Sequence, residues 1–403
     1  MGGILDGIRV MDFTRWQQGP SCTIILSDMG AEVWKIEALE GDPARRITKY
    51  AWDDPGPNQG IDKAYFLGLN RNKKSIAVNL KHPLAKEVIL KMAEIADVCV
   101  HNFRQGVMKR LGLGYEELCQ RNPKIIYAAG SGYGRKGPRR SHPAFDLAAQ
   151  AMSGIMSLTG EKEGYPLHVG AAIADQTGGT HLALGILAAL YYRERTGVGQ
   201  QLDISLLGGQ IFLQSWEIDM YTVTGESTTT GGRFNPYTTG IYAVYKAKDK
   251  YFVIGGVWPE QWEGLCRALE MPQLADDPRF STPSARAQNH DELTSILDKI
   301  FLEKTADEWL HILAELDIIA APVYTHAEVV NDPQVLENGY IWEDDHPTLG
   351  RIKVAGFPIE FSKTPAKIQR PPPRLGEHTE EILLTLGYSK ADIEGFKSQK
   401  AVR

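Results

Sequence analysis

The first 205 residues alternate short apolar strands with helical runs, and this rhythm leaves the chain few architectures. Ile8-Arg9-Val10-Met11-Asp12-Phe13 reads as a buried strand, followed by Gly19-Pro20 and an apolar helical run over 22–29. Glu32-Val33-Trp34-Lys35-Ile36-Glu37 reads as a second strand and residues 75–80 as a third. Leu84, Val88, Met92 and Ile95 then mark one face of a helix. Further strands over 98–100, 125–128 and 202–206, and a long helix over 177–195, continue the pattern. Strands separated by helices pair in parallel through crossovers. The expected fold is therefore α/β: a doubly wound, mostly parallel sheet with helices on both faces. Ligands bind such sheets beyond the carboxyl ends of the strands.

At 403 residues the chain is long for one core. Residues 222–237 are rich in Thr and Gly and lack periodicity, which reads as a linker or functional loop. A hairpin over 241–254 and helices near 260–269, 292–301 and 306–316 make a smaller α+β unit. Ala321-Pro322 starts a return segment, and Pro371-Pro372-Pro373 is a stiff spacer before two short helices. The expected division is a large domain over 1–221, a small domain over 222–321 and a return to the large domain over 322–403.

The net charge of −6 argues against a nucleic-acid or membrane-surface footprint, which wants a basic face. It leaves room for a local basic pocket. Cys22, Cys99, Cys119 and Cys266 are scattered among apolar neighbours, which suits core positions and neither a disulfide scaffold nor a zinc site. The ten histidines form no HxxxH pair, so no metal site is expected. No basic-then-apolar leader opens the sequence, and no apolar run reaches the ~18–20 residues of a membrane span, so a cytoplasmic setting is expected.

The first strand runs into Thr14-Arg15-Trp16-Gln17-Gln18-Gly19-Pro20, where a dinucleotide-binding turn would sit, but Gly-x-Gly-x-x-Gly is absent. Gln17 and Gln18 occupy a helix start whose amides suit an anion; an ordinary strand-to-helix turn fits as well. Basic residues recur near strand ends: Arg45 and Arg46, then Arg71, Lys73 and Lys74, then Arg104 and Arg110 beside Asn102 and Phe103. Together they would make a phosphate pocket; apart, they are a solvated surface. The Gly-rich loop Ser131-Gly132-Tyr133-Gly134 lacks the Lys-Ser/Thr ending of a phosphate-binding P-loop, so nucleotide use is not indicated. No Gly-x-Ser-x-Gly elbow is present. Asp146 reads as a helix-start charge. Asp175, beside Gly178 and Gly179, is either a reachable nucleophile or a helix cap.

These pieces, in this order, resemble the class III CoA-transferases of the CaiB/BaiF type, in pattern nearest to formyl-CoA transferase. The resemblance spans nearly the whole chain. It rests on Asp12-Phe13-Thr14, Gln17, Gly19-Pro20, Lys35-Ile36-Glu37 with Gly41-Asp42, Asn102-Phe103-Arg104, Arg110-Leu111-Gly112, Ser131-Gly132-Tyr133-Gly134, Asp175, Thr196-Gly197-Val198-Gly199-Gln200 and Leu375-Gly376-Glu377-His378-Thr379. It implies that Asp175 is the nucleophile and that the protein moves CoA from an acyl-CoA donor to a carboxylic acid acceptor, through an aspartyl anhydride and an aspartyl-CoA thioester. Coenzyme A enters as a cosubstrate, without metal or nucleotide. Amides near Gln17 and Gln18 and the loop at Gly231-Gly232 become candidate oxyanion donors. Gln18, Arg71, Lys73, Lys74, Asn102, Phe103, Arg104, Arg110, Tyr133 and Asp146 become candidate CoA contacts. The resemblance further implies two chains interlocked as rings, with linkers near Thr222 and Pro322 wrapping the partner; a heteromer with a paralogous chain is the alternative.

The sequence departs from the pattern of formyl-CoA transferase at Ser131 and Pro143, where lysines are expected, at Gln18, and in a glycine loop reduced to Gly231-Gly232 before Arg233, Phe234, Asn235, Pro236 and Tyr237. Trp258 and Trp262 are expected near the pocket mouth. These departures point to a changed acceptor and away from oxalate. Two other readings share the fold: an α-methylacyl-CoA racemase and a non-catalytic CoA-binding subunit. A racemase of this type carries His immediately before the position of Asp146, and here that residue is Phe145.

Overall fold

The computed structural model describes residues 2–48, 54, 56–161, 163–235 and 241–403. It divides into two compact units, one formed by residues 1–153, 170–215 and 333–403, the other by 154–169 and 216–332.

The N-terminal part runs β1 (Arg9–Asp12), α1 (Gln18–Asp28), β2 (Glu32–Glu37), α2 (Ala64–Asn70), β3 (Lys73–Ala77), α3 (Pro83–Ile95), β4 (Val98–His101), α4 (Val107–Arg110), α5 (Tyr115–Arg121), β5 (Ile126–Ser131), α6 (Asp146–Ser153), α7 (Ile155–Leu158), α8 (Ile173–Thr196), β6 (Gln201–Ser205) and α9 (Leu206–Leu213). The six strands form one sheet in the order β3-β2-β1-β4-β5-β6, with every pair parallel. Strands β1 to β5 are short and largely buried on both faces, as crossover helices on both sides demand, while edge strand β6 is half-buried. Met11, Cys99 and Tyr127 face the core under α3 and α5; Val10, Val98, Val100 and Ala128 face the core under α1 and α8. The chain winds outward in opposite directions from β1 and β4, so the crevice between their carboxyl ends is the expected ligand position.

The second unit contains α7, α10 (Ser215–Thr224), β7 (Tyr242–Lys246), β8 (Tyr251–Gly255), α11 (Pro259–Ala268), α12 (Pro283–Gln288), α13 (His290–Phe301), α14 (Ala306–Glu315), β9 (Ala320–Pro322) and α15 (His326–Val329). An antiparallel sheet, β7-β8-β9, packs on a core built around Trp262, Leu297, Phe301 and Trp309. The linker expected to begin at 222 is helical through Thr224, and Pro236 and Tyr237 lie outside the described residues. Ala321-Pro322 is not the start of the return. It forms edge strand β9 on β8, where proline's missing N–H costs nothing.

The chain rejoins the first unit with α16 (Pro333–Glu337), the hairpin β10 (Ile341–His346) and β11 (Gly350–Ala355), then α17 (Thr379–Thr385) and α18 (Lys390–Ser398). Side chains on the β2–β3 flank hold this return. Arg71 donates to the Ala355 carbonyl at 2.9 Å and Arg45 to the Pro373 carbonyl at 3.0 Å. The Asn72 amide accepts from Gln369 N–H at 2.6 Å and donates to the Lys367 carbonyl at 2.9 Å. None of the described helices is long and apolar enough to cross a membrane. Cys22, Cys99 and Cys266 are buried and Cys119 is half-buried; all four are free thiols.

Candidate active site

Asp175 lies in the first turn of α8, three residues into the helix. It does not cap that helix. The capping position is Ala172, and the free N–H groups of the first turn are satisfied from α6: Asp146 Oδ1 accepts from Ala174 N–H at 2.7 Å and Asp175 N–H at 3.1 Å. The other Asp146 oxygen accepts from the Gln150 amide at 2.6 Å. With the capping done by a neighbour, the Asp175 carboxylate is left half-buried and available. The cap reading of Asp175 is thereby replaced, and Asp146, expected as a CoA contact, serves as the cap.

Burial, and then the charge of Asp146, push the Asp175 carboxyl up to about 7; the Gln18 backbone N–H, which favours the charged form, limits the rise. Two glycines set this approach of α1 to α8. A Cβ on Gly178 would sit 2.9 Å from Gln18 Nε2, and one on Gly179 would sit 2.6 Å from the Gln18 main-chain oxygen. The Gln18 side chain is buried, packed between Gly130 and Gly178, and its Nε2 has no hydrogen-bond partner among the described residues. The Gln18 side chain, expected to reach CoA, is thus enclosed, while its main chain packs on Gly179, one helical turn along from Asp175. Gln17 precedes it as the half-buried start of α1. Tyr65 on α2 belongs to the same cluster: burial, followed by the charges of Asp175, Asp42 and Asp146, raises its phenol pKa. Nothing in the sequence marked Tyr65, an ordinary aromatic on a short helix.

A cavity of about 290 Å³ opens beyond the carboxyl ends of β1, β4 and β5, at the switch point of the sheet. Arg15 and Trp16 after β1, Asn102, Phe103 and Arg104 after β4, and Arg140 after β5 line it. The three arginines are exposed, and among the described residues none of them forms an ion pair. Trp16 meets Phe145 edge-to-face at 5.5 Å on the rim. Arg110 is exposed on α4, and Tyr133 is half-buried in the loop after β5; neither lines this cavity.

Three expected phosphate contacts have other duties. Lys73 is fully buried, 3.2 Å from Asp12, and donates to Thr23 and Asn70. Arg71 pairs with Asp28 at 2.6 Å. Lys74 bridges Glu32 and Glu381. Lys74 is engaged at the amino end of the sheet, where Glu32 opens β2, and Lys73, though its side chain reaches Asp12 at the end of β1, is fully buried against that carboxylate and has no face open to a ligand. Gly231 and Gly232 lie in the second unit, where the Gly232 N–H donates to Thr230 Oγ1 at 3.2 Å. Trp262 is buried in that unit's core, with the Arg286 guanidinium 4.6 Å from its ring centre, and is not at a pocket mouth; Trp258 is exposed.

The sequence matches CoA-transferase family III over residues 5–379. The chain belongs to that family. It is 37% identical over 396 residues to the succinyl-CoA:glutarate CoA-transferase of Mus musculus, an alignment covering 97% of this chain and 88% of that protein. It is also 37% identical to the acetyl-CoA:oxalate CoA-transferase of Acetobacter aceti, covering 93% of this chain and 94% of that one. Among solved structures, a CaiB/BaiF family protein from Brucella suis superposes with a TM-score of 0.86 at 33% identity, covering 96% of this chain and all of that one. The protein is a CoA-transferase of family III.

Proposed function

We propose that the protein transfers CoA between organic acids by covalent catalysis on Asp175. One observation carries this reading: an available carboxylate at the start of α8, raised toward neutrality and faced by a backbone amide, in a chain of this family. An Asp175 oxygen attacks the thioester carbonyl of the donor acyl-CoA; the C–S bond breaks and CoA leaves as thiolate. The thiolate attacks the aspartyl carbonyl of the mixed anhydride, releasing the donor acid and leaving an aspartyl-CoA thioester. The acceptor carboxylate attacks that thioester, forming a second anhydride and freeing the thiolate. The thiolate then attacks the acceptor's acyl carbon, giving the new acyl-CoA and restoring Asp175. Each attack builds an oxyanion, and the Gln18 N–H is a pre-placed donor for it. Gln17 and the loop at Gly231-Gly232 stay candidate donors on the resemblance alone.

The cavity beside Trp16 suits the CoA arm: it is open, sits at the sheet's switch point and carries three guanidinium groups that form no ion pair among the described residues, suited to phosphates. Phe145, adjoining Asp146, has no titratable group, so it cannot supply the proton transfer that a racemase needs at that place. The same reading makes the protein an interlocked dimer. Leu184 and Tyr191 on α8, 62% and 67% exposed, favour a covered face there.

The test pairs each of a set of acyl-CoA esters with mono- and dicarboxylic acids and then analyses the Asp175 peptide by mass spectrometry. A CoA adduct on that peptide and exchange of CoA between acids are expected. Exchange with the adduct on another residue, or exchange retained in Asp175→Ala, would reject the assignment.

A further inference from the structure

The turn between β1 and α1 is held by side chains rather than by its own backbone bonds. The Thr14 N–H donates to Asp12 Oδ1 at 2.8 Å, and the Thr14 carbonyl accepts from Lys35 Nζ at 3.1 Å. The Arg15 N–H donates to Asn102 Oδ1 at 2.8 Å, and the Arg15 carbonyl accepts from Asn102 Nδ2 at 2.7 Å. The Trp16 N–H approaches Asp42 Oδ1 at 3.4 Å. These clamps come from β1, from β2 and the loop after it, and from the end of β4. Trp16 needs them: its φ is 66°, a left-handed conformation that is strained for a bulky residue and persists only where the surroundings impose it. Asp42 also receives Lys35 Nζ at 2.8 Å, and both side chains are buried. A buried pair of this kind is weak evidence for stability and is better explained by a geometry it fixes. Two residues beyond Trp16 stands Gln18, whose main chain packs on Gly179 of α8, one helical turn along from Asp175.

We propose that Lys35, Asp42 and Asn102 are positioning residues: by fixing the main chain of Thr14–Trp16 they aim the Gln18 amide at Asp175. This rests on the covalent reading above and extends it to three side chains, none of which has to touch a reacting atom. It changes the role of Asn102, whose amide grips Arg15 with both its donor and its acceptor.

The test uses Asn102→Ala, at the cavity rim, and the charge-neutral pair K35M/D42N. Positioning predicts that kcat falls roughly 10–100-fold while KM for acyl-CoA stays within about twofold. It also predicts that Asp175 becomes harder to ionise, because the amide bond to its charged form is loosened. A ¹³C carboxyl titration by NMR, assigned with Asp175→Asn, reads that ionisation in the free protein; an upward shift of roughly half a unit or more is expected. Asp146 on α6 and Tyr65 on α2, the other ionisable neighbours, are unchanged in these variants. A folded Asn102→Ala with wild-type kcat and an unmoved Asp175 titration overturns the proposal. So does a rise in KM alone, which would make Asn102 a substrate contact. If K35M/D42N does not fold, Asn102→Ala decides by itself. The titration needs no turnover, so a wild-type protein that transferred no CoA would sink the covalent reading and leave this one measurable.

Discussion

Two sets of basic side chains in the larger unit have the same chemistry and opposite jobs. On the β2–β3 flank, Lys35, Arg45, Arg71 and Lys73 are buried, each against a carboxylate: Asp42, Glu37, Asp28 and Asp12. Burial alone would raise the Glu37 pKa, yet Arg45 and Lys35 hold it at about 2. Burial drags the Lys73 ammonium down to about 8 even with Asp12 beside it. Beyond the carboxyl ends of β1, β4 and β5, Arg15, Arg104 and Arg140 are exposed and line an open cavity. The first set builds the fold and ties down the C-terminal return; the second lines the cavity proposed for the CoA arm. A cation enclosed with its counter-ion has no charge left for a ligand, whereas a solvated arginine beside a cavity keeps its whole donor fork.

Substitutions can break or sharpen this contrast. The largest effect belongs to Asp175, which is in neither set. Asp175→Ala should lower kcat for CoA exchange by roughly 10⁴-fold or more while CoA binding, read by calorimetry, stays within a few-fold. Next is Lys73→Met, which leaves Asp12 without its nearest cation; a loss of about 3 kcal/mol is expected in urea unfolding, with CoA affinity unchanged wherever the protein is folded. Loss of CoA affinity without loss of stability would return Lys73 to the binding set. Arg104→Ala should do the reverse, raising KM for acyl-CoA roughly tenfold with the urea midpoint unmoved.

The smallest effect is on pH-dependent stability. The Asp175 carboxyl has a folded pKa of about 7 against 3.8 in the unfolded chain, so the folded protein holds the extra proton between those values. Stability from this group is greatest below pH 4 and falls as pH rises to 7. Asp175→Asn should therefore gain on the wild type between pH 5 and pH 8, by about 1 kcal/mol after allowing for partial solvation. The same titration should give kcat/KM an acid limb near pH 7, with activity rising as Asp175 ionises.

The sequence carried the sheet and most of its order of elements, because crossover connections and apolar strands write their periods locally. Ala128 and Val100 belong in a core wherever their strand lies, and Asp175 stood out through the glycines beside it. Lys73 and Arg104 look alike in one dimension, and nothing in their neighbours says which will meet an aspartate. Ala321-Pro322 misled for a related reason: an edge strand and a domain crossing share the same composition.

What the amino acids alone settled is the set of possible actors: an acid before a glycine pair, a turn where amides gather, arginines after strands. Only the tertiary structure decided which acted together. It brought Asp146 from α6 to cap α8 and so free Asp175, carried Lys35, Asp42 and Asn102 to a turn remote from them in the chain, and enclosed Arg71 and Lys73. The reason is physical: hydrogen bonds and ion pairs depend on distance in space, and residues 29 or 87 positions apart acquire that distance only when the sheet forms.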